Sequence, residues 1–307
     1  MTSSRMPRLF ALPAATALVL GLTGCGSGDA GRDTSGGAAG GTDAKINVVA
    51  STIVWGSVLA AVGGDQVSVT SIIKDPVADP HSYETTPADA LAAEAAQLTL
   101  ANGGGYDDFF GKLADQAPNA RKLVAYDIGA TGDENEHVWY SFAVVEKVAD
   151  EIAAQLGQLK PGAAQTFTAN ANTFKAKVDK LESKAAQIGT ARSGLKVIAT
   201  EPIAHYLLKT AKVADATPSE FSEAIEEETD VPPAALAEVK DLISGEQVTA
   251  VVNNVQTVTP VTSQVVDDAK KVGLPVVDVT ETLPTGVTDY ISWMTGEVDA
   301  LANALKS

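Results

Sequence analysis

The sequence predicts an α/β fold of two similar lobes, each built on a mostly parallel sheet, joined by one long rigid helix. Three observations lead there. Strand-like and helix-like segments alternate through both halves of the chain, the pattern of βα units around a parallel sheet. A single apolar stripe, spaced alternately by four and three residues, runs through the middle. Beyond the N-terminal region, no stretch is apolar for long enough to span a bilayer.

The N-terminal residues come first. Arg5 and Arg8 precede an apolar run over residues 9–22, which is too short for a comfortable membrane span and ends at Leu22-Thr23-Gly24-Cys25. Leu-Thr-Gly-Cys has the form of a bacterial lipobox, so residues 1–25 read as a lipoprotein signal in which Cys25 is acylated after cleavage. The plainer reading is a secretory signal with a chance cysteine, but Cys25 is the only cysteine and stands where cleavage is expected. Residues 26–44 are rich in Gly, Ser, Thr, Asp and Ala and read as a flexible tether between lipid and domain. The expected location is extracytoplasmic, on the outer face of the cell membrane.

The first lobe is expected over residues 45–160. Its strands are predicted at 45–52, 67–73, 97–102 and 122–127, with helices at 53–62, 87–95 and 106–115. The long linker helix is expected over 161–190, with Phe167, Ala171, Phe174, Val178, Leu181, Ala185 and Ile188 on one face. At 1.5 Å per residue it would reach roughly 40 Å. The second lobe, 191–307, carries strands at 195–200, 249–253 and 275–279 and helices at 202–212, 233–244 and 262–272.

The formal charge of −17 excludes a nucleic-acid partner, which needs clustered Lys and Arg. With Cys25 committed to lipid, neither a disulfide nor a thiolate metal site is open, so histidines and carboxylates are the remaining ligands. There are three histidines, His81, His137 and His205. His81 lies in Asp79-Pro80-His81-Ser82-Tyr83-Glu84-Thr85-Thr86-Pro87, a loop between a predicted strand and a helix start with Pro at its first turn. Ligands bind at such strand ends in open α/β sheets. His137 lies in Glu136-His137-Val138-Trp139 on the loop leading into the inter-lobe helices. Glu223 and the run Glu226-Glu227-Glu228 could attract cations to the cleft, but a solvated helix face is the default reading.

These motifs, with Asn102-Gly103-Gly104-Gly105-Tyr106, resemble the solute-binding lipoproteins of zinc and manganese ABC importers, over about residues 45–307. The resemblance implies one divalent ion, Zn²⁺ or Mn²⁺, held at the lobe interface by two ligands from each lobe, and a membrane permease as partner to a monomeric protein. His81 and His137 match the first pair. Glu201, in Thr200-Glu201-Pro202, takes the third position, with His205 one turn further on. Glu281 takes the fourth, with Asp278 as its competitor inside the strand. The chain departs from the family in Tyr140-Ser141-Phe142 after His-Val-Trp, and in having no His-rich loop between His81 and His137. Two imidazoles and two carboxylates suit first-row divalent ions, and the two charges offset the cost of burying a dication. The other readings are a binding protein for a metal chelate or small solute and a secreted metal-dependent hydrolase; the latter needs an open coordination position and a general base that no residue pair here suggests.

Overall fold

A computed structural model describes residues 44–306; the expected signal, the lipobox with Cys25 and nearly all of the tether lie outside the described residues. The first lobe runs β1 (Ile46–Thr52), α1 (Ile53–Gly63), β2 (Val67–Ile73), α2 (Pro87–Glu94), β3 (Leu98–Ala101), α3 (Asp108–Ala114), β4 (Arg121–Val124) and α4 (Ala125–Gly129). Then come α5 (Phe142–Leu159) and α6 (Ala164–Ala191). The second lobe runs β5 (Lys196–Ala199), α7 (His205–Ala211), β6 (Ala214–Asp215), α8 (Ser219–Glu226), α9 (Pro233–Ser244), β7 (Ala250–Asn254), α10 (Pro260–Lys271), β8 (Val276–Val279) and α11 (Tyr290–Ala304). Among the described residues, no helix is long and apolar enough to cross a membrane.

Both sheets are parallel throughout and repeat one topology, β2-β1-β3-β4 and β6-β5-β7-β8. β1 shows why. Six of its seven residues are buried, as expected of a parallel strand covered on both faces. Its register sets Ile46 beside Val67 and Val48 beside Leu98. In each sheet the chain reverses its winding beside the first strand, so the crevice beyond the strand C-termini opens there.

Two expectations are corrected. The strand predicted over 122–127 stops at Val124, because Tyr126 N–H donates to the Asn102 carbonyl (2.8 Å) and the chain turns into α4. The second lobe also has a two-residue edge strand, β6, too short to register as a pattern, and the closing helix α11.

The predicted stripe is buried along all of α6, from Phe167 to Ile188. The helix packs on α1 and α5 of the first lobe and on α7 and α11 of the second, so it links the two. One apolar cluster continues from β1 through α5 and α6 to β8 and α11. Each large side chain in it contributes about 1.5–3 kcal/mol by leaving water.

Gly189 marks the tightest crossing. A β-carbon there would meet the backbone carbonyls of Ala211 and Lys212 at the end of α7. Gly296, exposed on α11, has nothing near its missing β-carbon. Gly189→Ala should therefore destabilise the protein by about 1–3 kcal/mol through overpacking. Gly296→Ala should stabilise it by up to about 1 kcal/mol. Denaturant unfolding of the two variants checks this; a gain from Gly189→Ala would contradict the packing.

Candidate metal centre

Three of the four expected ligands follow a strand directly, His81 on the loop after β2, Glu201 after β5 and Glu281 after β8, while His137 lies on the loop after α4. Asp79 shapes the loop after β2 by accepting from His81 N (2.9 Å) and Ser82 Oγ (2.6 Å). Thr86 and Asp89 form a capping box on α2, with Pro87 at its first position, and this fixes where the loop ends.

The loop with His137 is anchored from both lobes. After β3, Gly103, Gly104 and Gly105 all have positive φ, and a β-carbon on Gly104 would press on Tyr126 and Glu136. This turn lets Asn102 Nδ2 donate to the Glu136 carbonyl (2.9 Å), while Asn102 Oδ1 accepts from Trp55 Nε1 (3.0 Å). From the other side, Asn135 Nδ2 donates to the Pro202 carbonyl (3.0 Å) and Tyr206 Oη to the Asn135 carbonyl (2.8 Å). Asn135 Oδ1 then accepts from His137 N (3.0 Å) and lies 3.3 Å from its Nδ1. An Nδ1–H facing Asn135 leaves the lone pair on Nε2, the arrangement of a metal-binding imidazole oriented by its neighbour.

In the second lobe, Glu201 follows β5 and Glu281 follows β8. Asn254, at the end of β7, lies between them. Its Nδ2 donates to Glu201 Oε2 (2.5 Å) and Glu281 Oε1 (2.7 Å). Tyr106 of the first lobe reaches across to Glu281 Oε2 (3.3 Å).

His81, His137, Glu201 and Glu281 all line one cavity of about 290 Å³, together with Glu226 and Gln256. No Lys or Arg lines it among the described residues. The four expected ligands are not gathered to coordination distance. Among the described residues, the one set of three whose ligand atoms all lie within 4.8 Å is Glu136, His137 and Glu226. His137 Nε2 is 3.6 Å from Glu226 Oε1, and the more exposed His81 has its Nε2 3.7 Å from Glu136 Oε1. Asp278 is on the outer side of β8, bonded to Asn253 Nδ2 (3.0 Å) and away from the cavity. His205 is also outside it, 2.8 Å from Asp133 Oδ2, where it ties α7 to the loop before His137.

The electrostatics follow from acids crowded without basic partners. Burial, reinforced by Glu281, pushes the Glu201 carboxyl up to about 7. Burial and then the charges of Glu136, Glu201 and Glu281 raise Glu226 to about 8. Burial also raises Glu281, against the hydrogen bond from Asn254. His137 goes the other way, down to about 3, because burial disfavours its cationic form and His81 and His205 add to the effect. A neutral imidazole beside carboxylates that resist ionisation is a site that a dication would relieve.

Sequence reasoning missed three of these residues. Glu226 lay in a run read as solvated, yet burial of Phe221, Ala224 and Ile225 turns it inward and leaves Glu227 and Glu228 exposed. Glu136 stood inside a quoted motif without a role. Asn254 gave no signal, since its role depends on carboxylates from two distant loops.

Similarities to known proteins bear on the whole described region. The family profile for ZnuA, "Zinc-uptake complex component A periplasmic", matches residues 48–304. The manganese-binding lipoprotein MntA of Bacillus subtilis is 31% identical over 166 residues, 50% of this chain and 51% of that protein. The iron ABC transporter substrate-binding lipoprotein MtsA of Streptococcus pyogenes is 27% identical over 222 residues, 62% of this chain and 71% of that one. The chain thus spans about half the length of the manganese-binding relatives it matches. The crystal structure of ZnuA superposes with a TM-score of 0.70 at 21% identity, covering 85% of this chain and 100% of that one. The periplasmic zinc-binding protein TroA of Treponema pallidum gives 0.70 at 17% identity, covering 86% and 100%. Both share the fold. With its profile matched almost from end to end of the described residues, this chain belongs to the ZnuA family.

Proposed function

We propose that the protein captures a divalent first-row transition metal outside the cytoplasm and delivers it to the permease of an ABC importer, as a binding protein and not an enzyme. One observation carries this reading: a single inter-lobe cavity lined by two imidazoles and several carboxylates, with no basic side chain among the described residues lining it. Such donors bind Zn²⁺ and Mn²⁺ and suit few other ligands. The names of the relatives, a manganese-binding lipoprotein and an iron ABC transporter substrate-binding lipoprotein, support the same function. In this reading His81, His137, Glu201 and Glu281 close on the ion from both lobes. Asn254 gives up its hold on the two carboxylates when the ion takes their charge. Acylated Cys25 anchors the protein to lipid.

Plasma mass spectrometry of protein loaded with Mn²⁺ or Zn²⁺ and then desalted should find one ion per chain. In the same assay His137→Ala and Glu201→Ala should weaken binding about a hundredfold or more, and His205→Ala less than about threefold. Equal losses at all three would remove the distinction between ligand and inter-lobe tie.

Binding should strengthen with pH through about 7 to 8, because Glu201 and Glu226 must release protons there. His137, already neutral above about pH 3, adds nothing to this dependence. The empty protein should show the opposite trend in stability. Its folded state holds protons on Glu201 and Glu226 that the unfolded chain releases near 4.5, so raising the pH from about 4.5 to 8 favours unfolding. Melting temperatures across this range, with and without metal, should therefore diverge as pH rises. Parallel curves would contradict the assignment.

Cys25→Ser should move the protein from the membrane fraction to the soluble extracytoplasmic fraction and abolish fatty-acid labelling. Retained labelling would place the anchor elsewhere.

A further inference from the structure

We infer that Glu226 is a fifth protein ligand of the transported ion and biases the site toward Mn²⁺ over Zn²⁺. This rests on the metal-capture reading above and adds a residue to it. Glu226 ends α8 and lines the cavity. Its Oε1 is buried with no hydrogen-bond donor, and it faces Nε2 of His137, whose side chain is only 1% exposed, at 3.6 Å. The other second-lobe carboxylates, Glu201 and Glu281, both receive the Asn254 amide. A buried carboxylate oxygen left without a donor is costly. A cation next to His137 supplies the missing partner.

The choice of metal follows from counting donors. Zn²⁺ is satisfied by four ligands in a tetrahedron, which His81, His137, Glu201 and Glu281 would provide in the metal-capture reading. Mn²⁺ is a harder ion that takes oxygen-rich, octahedral surroundings. A third carboxylate, able to bind through one oxygen or two, extends the sphere in the way Mn²⁺ uses and Zn²⁺ does not. Glu136 also lies within reach, but it stands before His81, 3.7 Å from its Nε2. Glu226 is the carboxylate set against the buried imidazole.

Competition calorimetry on the full-length protein with Mn²⁺ and Zn²⁺ tests this, using Glu226→Gln beside Glu223→Gln, an exposed neighbour on α8. Glu226→Gln should weaken Mn²⁺ by about tenfold or more and Zn²⁺ by less than about threefold, with Glu223→Gln unchanged for both. Equal losses for the two metals, or no loss for Mn²⁺, would overturn the inference. Should Glu226→Gln fail to fold by circular dichroism, a crystal structure of the Mn²⁺-loaded wild type decides. A Glu226 oxygen bonded to the ion supports the proposal, and one beyond about 4 Å refutes it. If the wild type binds neither metal, the capture reading itself falls, a result distinct from a wild type that binds both and a variant that changes nothing.

Discussion

The structure depends on carboxylates held at the joint between two parallel sheets without basic partners. Parallel strands send all their C-terminal loops to one end, and loops of both lobes bring Glu201, Glu226 and Glu281 of one to the same cavity as His81 and His137 of the other. Burial there raises the Glu201 and Glu226 carboxyl groups and lowers the His137 imidazole, so protons and the Asn254 amide offset the crowded charge. In the proposed function, a dication replaces those protons.

That joint requires a scaffold that tolerates repulsion. The apolar cluster through α5, α6 and α11 provides it, since the side chains it buries are far more numerous than the acids it must hold together. Polar ties add direction. Tyr140 Oη donates to the Thr280 carbonyl (2.7 Å) and Tyr290 Oη to the Trp139 carbonyl (2.8 Å). These bonds seat the segment carrying His137 against the loop carrying Glu281.

The fold was largely legible because parallel strands and the α6 stripe write strong periodic signals. The stripe from Phe167 to Ile188 was read residue by residue and is buried residue by residue. What was lost was short or decided by one contact. β6 has two residues, and the end of β4 is set by a single hydrogen bond from Tyr126 to Asn102. The site was legible where motifs are contiguous, as around His81 and His137, and all four expected ligands do line one cavity. Asn254 and Glu226 were hidden for different reasons. The first matters only through partners 53 and 27 residues away, and the second sits in an acidic run whose default is solvent.

The parallel direction of β1 also fixes where the chain enters the domain. Ile46 begins the strand whose far end, Thr52, points toward the inter-lobe crevice. Just before it, the Ala44 carbonyl accepts from Lys160 Nζ at the close of α5, a helix of 18 residues, about 27 Å long, that follows the loop carrying His137. The first described residues therefore join the sheet at the N-terminal ends of its strands, the opposite end from the loops that line the cavity.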